Sequence, residues 1–177
     1  MTGVQTCALP ISTGYLPYGA FQDSTDQSVA STTTTAPVTL NTTDYSLGVS
    51  IVSSSRIKVD YAGLYNIQFS LQFANTHSQA HNAWIWLRKN GTDIVGTGSK
   101  YDVPSTHGSS DGYLIAVANF FVSATAGDYF ELVFAADQVK IISPAQDGVY
   151  IEAYAASTSP FTMPAVPSSV VTVSQVA

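Results

Sequence analysis

The sequence predicts an all-β domain, a two-sheet antiparallel sandwich of jelly-roll type with about ten strands. Three observations predict it. No stretch keeps a helical i, i+3, i+4 pattern over three turns, whereas apolar–polar alternation bounded by turn residues recurs along the chain. Ten Tyr, eight Phe and two Trp suit a pleated surface, on which flat and branched side chains pack well. Hydrophobic residues make up 45% of the 177 and charged residues 10%, a balance that builds a core and is foreign to disordered chains.

Tyr18–Asp26 (YGAFQDSTD) reads as the first strand. Ser31–Thr35, a Ser/Thr run before Pro37, reads as a surface loop or ragged edge. Val38–Leu40 and Val49–Val52 are expected as short strands around the turn residues Asn41–Asp44, and Arg56–Val59 follows before an Ala62-Gly63 turn. Gly63–Phe73 is the clearest strand. Tyr65, Ile67, Phe69, Leu71 and Phe73 share one face, and Asn66, Gln68, Ser70 and Gln72 the other. Ala83–Lys89 and Thr92–Gly96 flank Asn90-Gly91, a hairpin signal because both central residues must accept positive φ. Lys100–Gly112 is polar and rich in Gly, Ser and Asp, and is expected as a long loop. Past Tyr113–Val122 and a Gly127-Asp128 turn, Phe130, Leu132 and Phe134 alternate with Tyr129, Glu131 and Val133. Lys140–Ile142 and Val149–Ala155 are further strands, Ser157–Pro167 with its three prolines a loop, and Ser169–Val176 the closing strand.

Tyr113–Val122 differs from the others in being apolar on both sides. Ile115, Val117 and Phe121 point one way; Leu114, Ala116, Ala118, Phe120 and Val122 point the other. A strand apolar on both faces is buried on both. Two stacked sheets cover only one face each, so association with other subunits supplies the second cover. The subunit interface is assigned here to Leu114, Ala116, Ala118, Phe120 and Val122.

The net charge is −6, and the six cations (Arg56, Lys58, Arg88, Lys89, Lys100, Lys140) are scattered, which argues against nucleic acid or an anionic membrane as partner. No apolar stretch approaches the roughly twenty residues that cross a bilayer. Catalysis finds no support either. Sugar hydrolysis needs two carboxylates about 5–10 Å apart; the glutamates are Glu131 and Glu152, and the ten aspartates sit mostly at turns. Nucleophile-elbow and phosphate-loop motifs are missing. His77 and His81 are four apart, as are His107 and Asp111, a spacing that suggests a metal on a helix but reads as surface histidines in loops. No metal and no cofactor is expected. Trp84 and Trp86 share one face of their strand and could stack on sugar rings, with Tyr101 and the Ser105–Asp111 loop as weaker ligand contacts; the plainer reading buries the tryptophans. Asn41-Thr-Thr and Asn90-Gly-Thr fit the glycosylation sequon but read as turn asparagines.

Met1–Ile11 (MTGVQTCALPI) matches the translation of a common sequencing adapter and is set aside as foreign to the fold. Cys7, the single cysteine, lies within it, so the remaining chain offers no disulfide or thiolate ligand. Residues 12–17 read as a linker and 18–177 as one domain; the natural chain is expected to extend upstream.

Arg56–Tyr65 (RIKVDYAGLY) resembles the strand that carries Gly-Leu-Tyr in the tumour necrosis factor and complement globular-head superfamily. Ile85–Gly91 resembles that family's strand and Asn-Gly hairpin, and Ala126–Leu132 (AGDYFEL) its Gly-Asp turn and following strand. All three stand in the family's order, and the likeness spans Tyr18–Ala177. It implies ten strands in two five-stranded sheets, the first and last strands paired, and usually a homotrimer. The phrasing of YGAFQD and of Pro167–Val173 looks most like phage head- or tail-fibre proteins. That likeness implies a non-enzymatic virion protein, a trimeric fibre or its adhesive C-terminal tip, displayed on the particle surface and binding a host-surface glycan or protein. The alternative is a carbohydrate-binding module of a secreted bacterial protein; a cytokine-like or complement-like signalling ligand rests on fold analogy alone.

Overall fold

The computed structural model describes residues 16–141 and 145–177. The adapter-like segment with Cys7, residues 12–15 of the expected linker, and Ile142 of the expected Lys140–Ile142 strand lie outside the described residues.

The described residues contain no helix. They form thirteen strands: β1 (Tyr18–Asp23), β2 (Ala36–Pro37), β3 (Thr42–Leu47), β4 (Val49–Val52), β5 (Arg56–Val59), β6 (Gly63–Asn75), β7 (His81–Lys89), β8 (Thr92–Asp93), β9 (Ser99–Val103), β10 (Gly112–Ala124), β11 (Tyr129–Ala136), β12 (Val149–Ile151) and β13 (Ser169–Gln175). Two antiparallel sheets stack as a sandwich. The first runs β10-β6-β13-β1-β3, with β12 also on β6; the second runs β4-β5-β11-β7-β8, with β2 on β11 and β9 on β7. First and last strands pair, Tyr18 opposite Ser174, as the resemblance implied.

Alternation decides what fills the space between the sheets. Phe21, Tyr65, Ile67, Leu71 and Phe73 enter from the first sheet; Ile57, Ile85, Leu87, Phe130, Leu132 and Phe134 enter from the second, all essentially inaccessible to water. Phe73 and Phe134 meet across the layers with ring centroids 6.3 Å apart at 55°, a tilted contact that aromatic quadrupoles favour. The predicted hairpin is present, with φ of 49° at Asn90 and 81° at Gly91.

That hairpin is fastened to the next turn. Asn90 Nδ2 donates to Asp128 Oδ1 at 2.7 Å, the Thr125 amide donates to Asp128 Oδ2 at 2.7 Å, and Lys89 Nζ lies 2.7 Å from the same carboxylate. The Lys89 hydrogen bond first, then those of Asn90 and Thr125, hold the Asp128 carboxyl well below the ordinary carboxylate range. A depressed carboxyl stabilises the fold above the unfolded value, about pH 4, and the contribution drains away as pH falls further. Asp128→Ala is expected to cost about 2 kcal/mol at neutral pH, with a smaller difference from the parent at pH 3, read from urea unfolding at both.

Four expected elements change. Asn41–Asp44 is not a turn: Thr42–Leu47 lies along β1 as an edge strand, fully exposed, with Gln22 Nε2 donating to Asp44 Oδ1 at 2.7 Å. Pairing with β1 outweighs the turn preference of Asn and Asp. Val38–Leu40 is buried yet irregular, because its amides serve two partners, Val38 giving to Leu132 and Leu40 to Ser54. The expected loop at Lys100–Gly112 begins as a strand, since β9 pairs with β7 and sends Val103 into the core while Lys100 and Asp102 face out. Ile141 makes only an isolated bridge to Gln146, and Lys140 lies in none, though its amide donates to the Val149 carbonyl.

Candidate binding and assembly surfaces

β10 is an edge strand whose register with β6 fixes which side chains point inward. Ala116 lies opposite Leu71 and Ala118 opposite Phe69, so both face the core. This corrects the interface assignment. Leu114, Ala116, Ala118, Phe120 and Val122 pack against the chain's own interior, Ala116 at 0% and Val122 at 8% exposure, with Phe120 6.0 Å from Phe69 between ring centroids. Alternation reveals two sides without saying which is inner. A second signal does: Asn119 and Ser123 share the side of Ile115, Val117 and Phe121, which marks that side as the outward one.

Tyr113, Ile115, Val117 and Phe121 are 52%, 60%, 62% and 62% exposed. Cross-strand pairing adds Leu64 on β6, Val170 on β13, Tyr18 on β1, and Tyr45 and Leu47 on β3 to the same outward face. Nine of the sixteen exposed large hydrophobic residues among those described therefore belong to one face of one sheet. They form two groups, one along β10 with Leu64 and Val170 beside it and one of Tyr18, Tyr45 and Leu47 on β1 and β3, with the polar outward residues Asn66, Gln68, Thr172 and Ser174 between them; single apolar residues are ordinary on a surface, whereas such groups mark candidate interaction sites. A groove of about 430 Å³ crosses this face, between Gln68 and Ser70, Val117 and Asn119, and Val170 and Thr172.

The structure separates the three expected ligand residues. Trp84 and Trp86 lie half-buried on the outward face of the second sheet. Trp86 Nε1 donates to Asp93 Oδ1 at 2.8 Å, Arg88 Nε reaches the same oxygen at 2.8 Å, and Lys100 Nζ stands 5.6 Å from the Trp84 ring centroid. The Trp86 bond first, then Arg88, holds the Asp93 carboxyl below its usual range. The result is two rings flanked by cations. Tyr101 points the other way, its ring 6.5 Å from Phe73 and its hydroxyl donating to the Val117 carbonyl at 3.1 Å, where it ties β9 to the edge of β10.

His81 sits between His77 Nδ1, 3.0 Å from its Nε2, and Asp137 Oδ1, 3.1 Å from its Nδ1. Burial pushes the Asp137 carboxyl up, but bonds from the Asn82 side chain and amide and from His81 outweigh it and bring it below the ordinary value. Among the described residues no group of three or more His, Cys, Asp or Glu side chains is placed to hold a metal ion. Glu131 is on β11 of the second sheet, whereas Glu152 follows β12 beside the first. Glu131 is buried with Ser55 Oγ at 2.9 Å and Arg56 Nε at 3.4 Å. No described helix is long and apolar enough to cross a membrane.

No protein-family model matches the chain, and no curated protein is significantly similar to it. Among solved structures it is similar to the globular domain of zebrafish complement 1qA protein, at a TM-score of 0.50 and 11% identity over 92% of this chain and 98% of that one. The fold is a complement- and tumour-necrosis-factor-like jelly roll. At that identity the likeness speaks for the fold alone, and the jelly roll differs from the expected ten strands by short additions such as β2 and β8.

Proposed function

We propose that this jelly roll is a homotrimeric structural domain of a phage virion, a fibre or its adhesive tip at the particle surface, and not an enzyme. One observation carries the reading: the exposed apolar residues gather on the outward face of the first sheet, where a neighbouring copy would cover Val117 and Phe121. Such a face is costly to leave in water, and a closed symmetric assembly covers it without leaving a sticky edge. The partner on the host is a surface glycan or protein, held weakly by each subunit and strongly by three linked copies. Light scattering at low micromolar concentration is expected to give three times the 18.7 kDa chain mass. A mass of one chain sinks the proposal.

A second reading has its own support. Trp84 and Trp86, side by side on the outward face of the second sheet with Lys100 and Arg88 beside them, suit a carbohydrate-binding module of a secreted bacterial protein. Gene neighbours separate the two: capsid and tail genes favour the first, glycosidase genes the second.

A further inference from the structure

Past β12 the chain keeps its period-two course, so Tyr150, Glu152 and Tyr154 stand on one side. The Glu152 amide donates to the Gln72 carbonyl at 2.8 Å and Tyr150 lies opposite Ala74, which puts all three on the outward side of the first sheet beside Tyr113. Tyr113 and Tyr154 face each other with ring centroids 6.2 Å apart at 59°. Between them opens a pocket of about 340 Å³ walled by Gln72, Tyr113, Glu152, Tyr154, Met163 and Val166, at the Gly112 end of the apolar face.

The carboxylate in this pocket is half satisfied. Glu152 Oε1 accepts the Tyr150 hydroxyl and the Tyr154 phenol lies close to the same carboxylate, whereas Oε2 is buried and meets no donor at hydrogen-bond geometry. A buried carboxylate oxygen without a donor is costly, and it leaves an acceptor that a group entering the pocket can satisfy. The surroundings favour a cation. The faces of aromatic rings are electron-rich, and Asp26 and Asp111 add negative charge near Tyr150. Burial first, and then the Glu152 carboxylate, keep the Tyr150 and Tyr154 phenols protonated far above their usual range, so neither adds a competing charge. The chain's own cations leave the carboxylate free: four of the six pair with Glu131, Asp60, Asp93 and Asp128, and Lys140 rests on the Tyr150 ring, 3.6 Å from its centroid, with no ion pair to Glu152.

We infer that Glu152, Tyr113 and Tyr154 form a binding site for an alkylammonium group. The carboxylate supplies charge and an acceptor, the two phenol rings supply cation–π faces, and Met163 and Val166 shed water from the alkyl substituents. The same ammonium chemistry can come from a free amine or from a lysine of a second copy, for which Lys100 is the unpaired choice among the described residues. The site stands whether or not the chain trimerises.

The test titrates n-butylammonium chloride and choline chloride into the full chain at constant ionic strength, followed by NMR of the Met163 and Val166 methyl groups. Saturable shifts are expected, with Kd on the order of 1 mM, and sodium chloride should not reproduce them. The isosteric Glu152→Gln should weaken binding about tenfold. Where that variant does not fold, Tyr113→Leu, which spares the carboxylate, should weaken it several-fold. Lys100→Ala identifies the source: unchanged affinity means a free amine, and about tenfold tighter binding means that a neighbour's lysine was competing. Equal titrations of parent and Glu152→Gln, or no saturation in the parent and in Lys100→Ala, would overturn the assignment.

Discussion

Val117→Asp combined with Phe121→Asp is expected to leave the chain folded and to reduce the proposed trimer to single subunits. Both side chains are 62% exposed on the isolated chain, so a carboxylate there stays in water and costs the fold little. In a subunit interface the same carboxylates are stripped of water without a cation to meet them, at about 3–5 kcal/mol each, or roughly a hundredfold to several thousandfold in the association constant for each. Both positions are on the edge strand β10 and both recur in every copy. Light scattering should report 18.7 kDa, with an unchanged β-sheet circular dichroism spectrum. A variant that keeps the mass of an assembled parent would place the interface elsewhere and remove the main support for a fibre.

Phe130→Ala is expected to give the largest loss of fold stability. Phe130 is 0% exposed, stands opposite Lys89 on β7 and Ile57 on β5, and so joins three strands of the second sheet through one ring. Its removal deletes the buried ring and leaves a hole that stiff neighbouring strands fill poorly, at about 3–5 kcal/mol. For a domain of this size that lowers Tm by about 10 °C, measured by thermal unfolding. Phe161→Ala is the control: at 65% exposure the same truncation should move stability by no more than about 0.5 kcal/mol. Equal losses at the two positions would contradict the packing described for the core.

The strands legible in the sequence were those whose neighbours impose a half-buried environment. Tyr65 through Phe73 alternates cleanly because one face of β6 meets the second sheet and the other faces outward. The Asn90-Gly91 hairpin was legible because two successive positive φ angles leave few choices of residue. β3 and β9 were hidden for the opposite reason. Every residue of β3 is exposed, so no buried face writes a period into it, and in β9 only Val103 is fully buried. Their pairing is decided by the strand beside them, which local sequence does not encode. The apolar face was half legible: that β10 is apolar on both sides could be read, but which side meets its own second sheet depended on register with β6. Tyr150, Glu152 and Tyr154 went unread although their spacing is visible, because what sets them apart is an oxygen without a donor, and satisfaction is a property of three-dimensional packing.

Pairing Tyr18 with Ser174 also sets a timetable for folding. During synthesis β1 can pair early with β3, but its other edge stays open until nearly the whole domain has left the ribosome and β13 can take its place between β1 and β6. Closing so long a loop is slow, and an open strand edge invites pairing with the wrong chain in the interval. Refolding from denaturant should therefore be slow for a domain of this length, and the yield of recombinant protein should depend on keeping nascent copies apart.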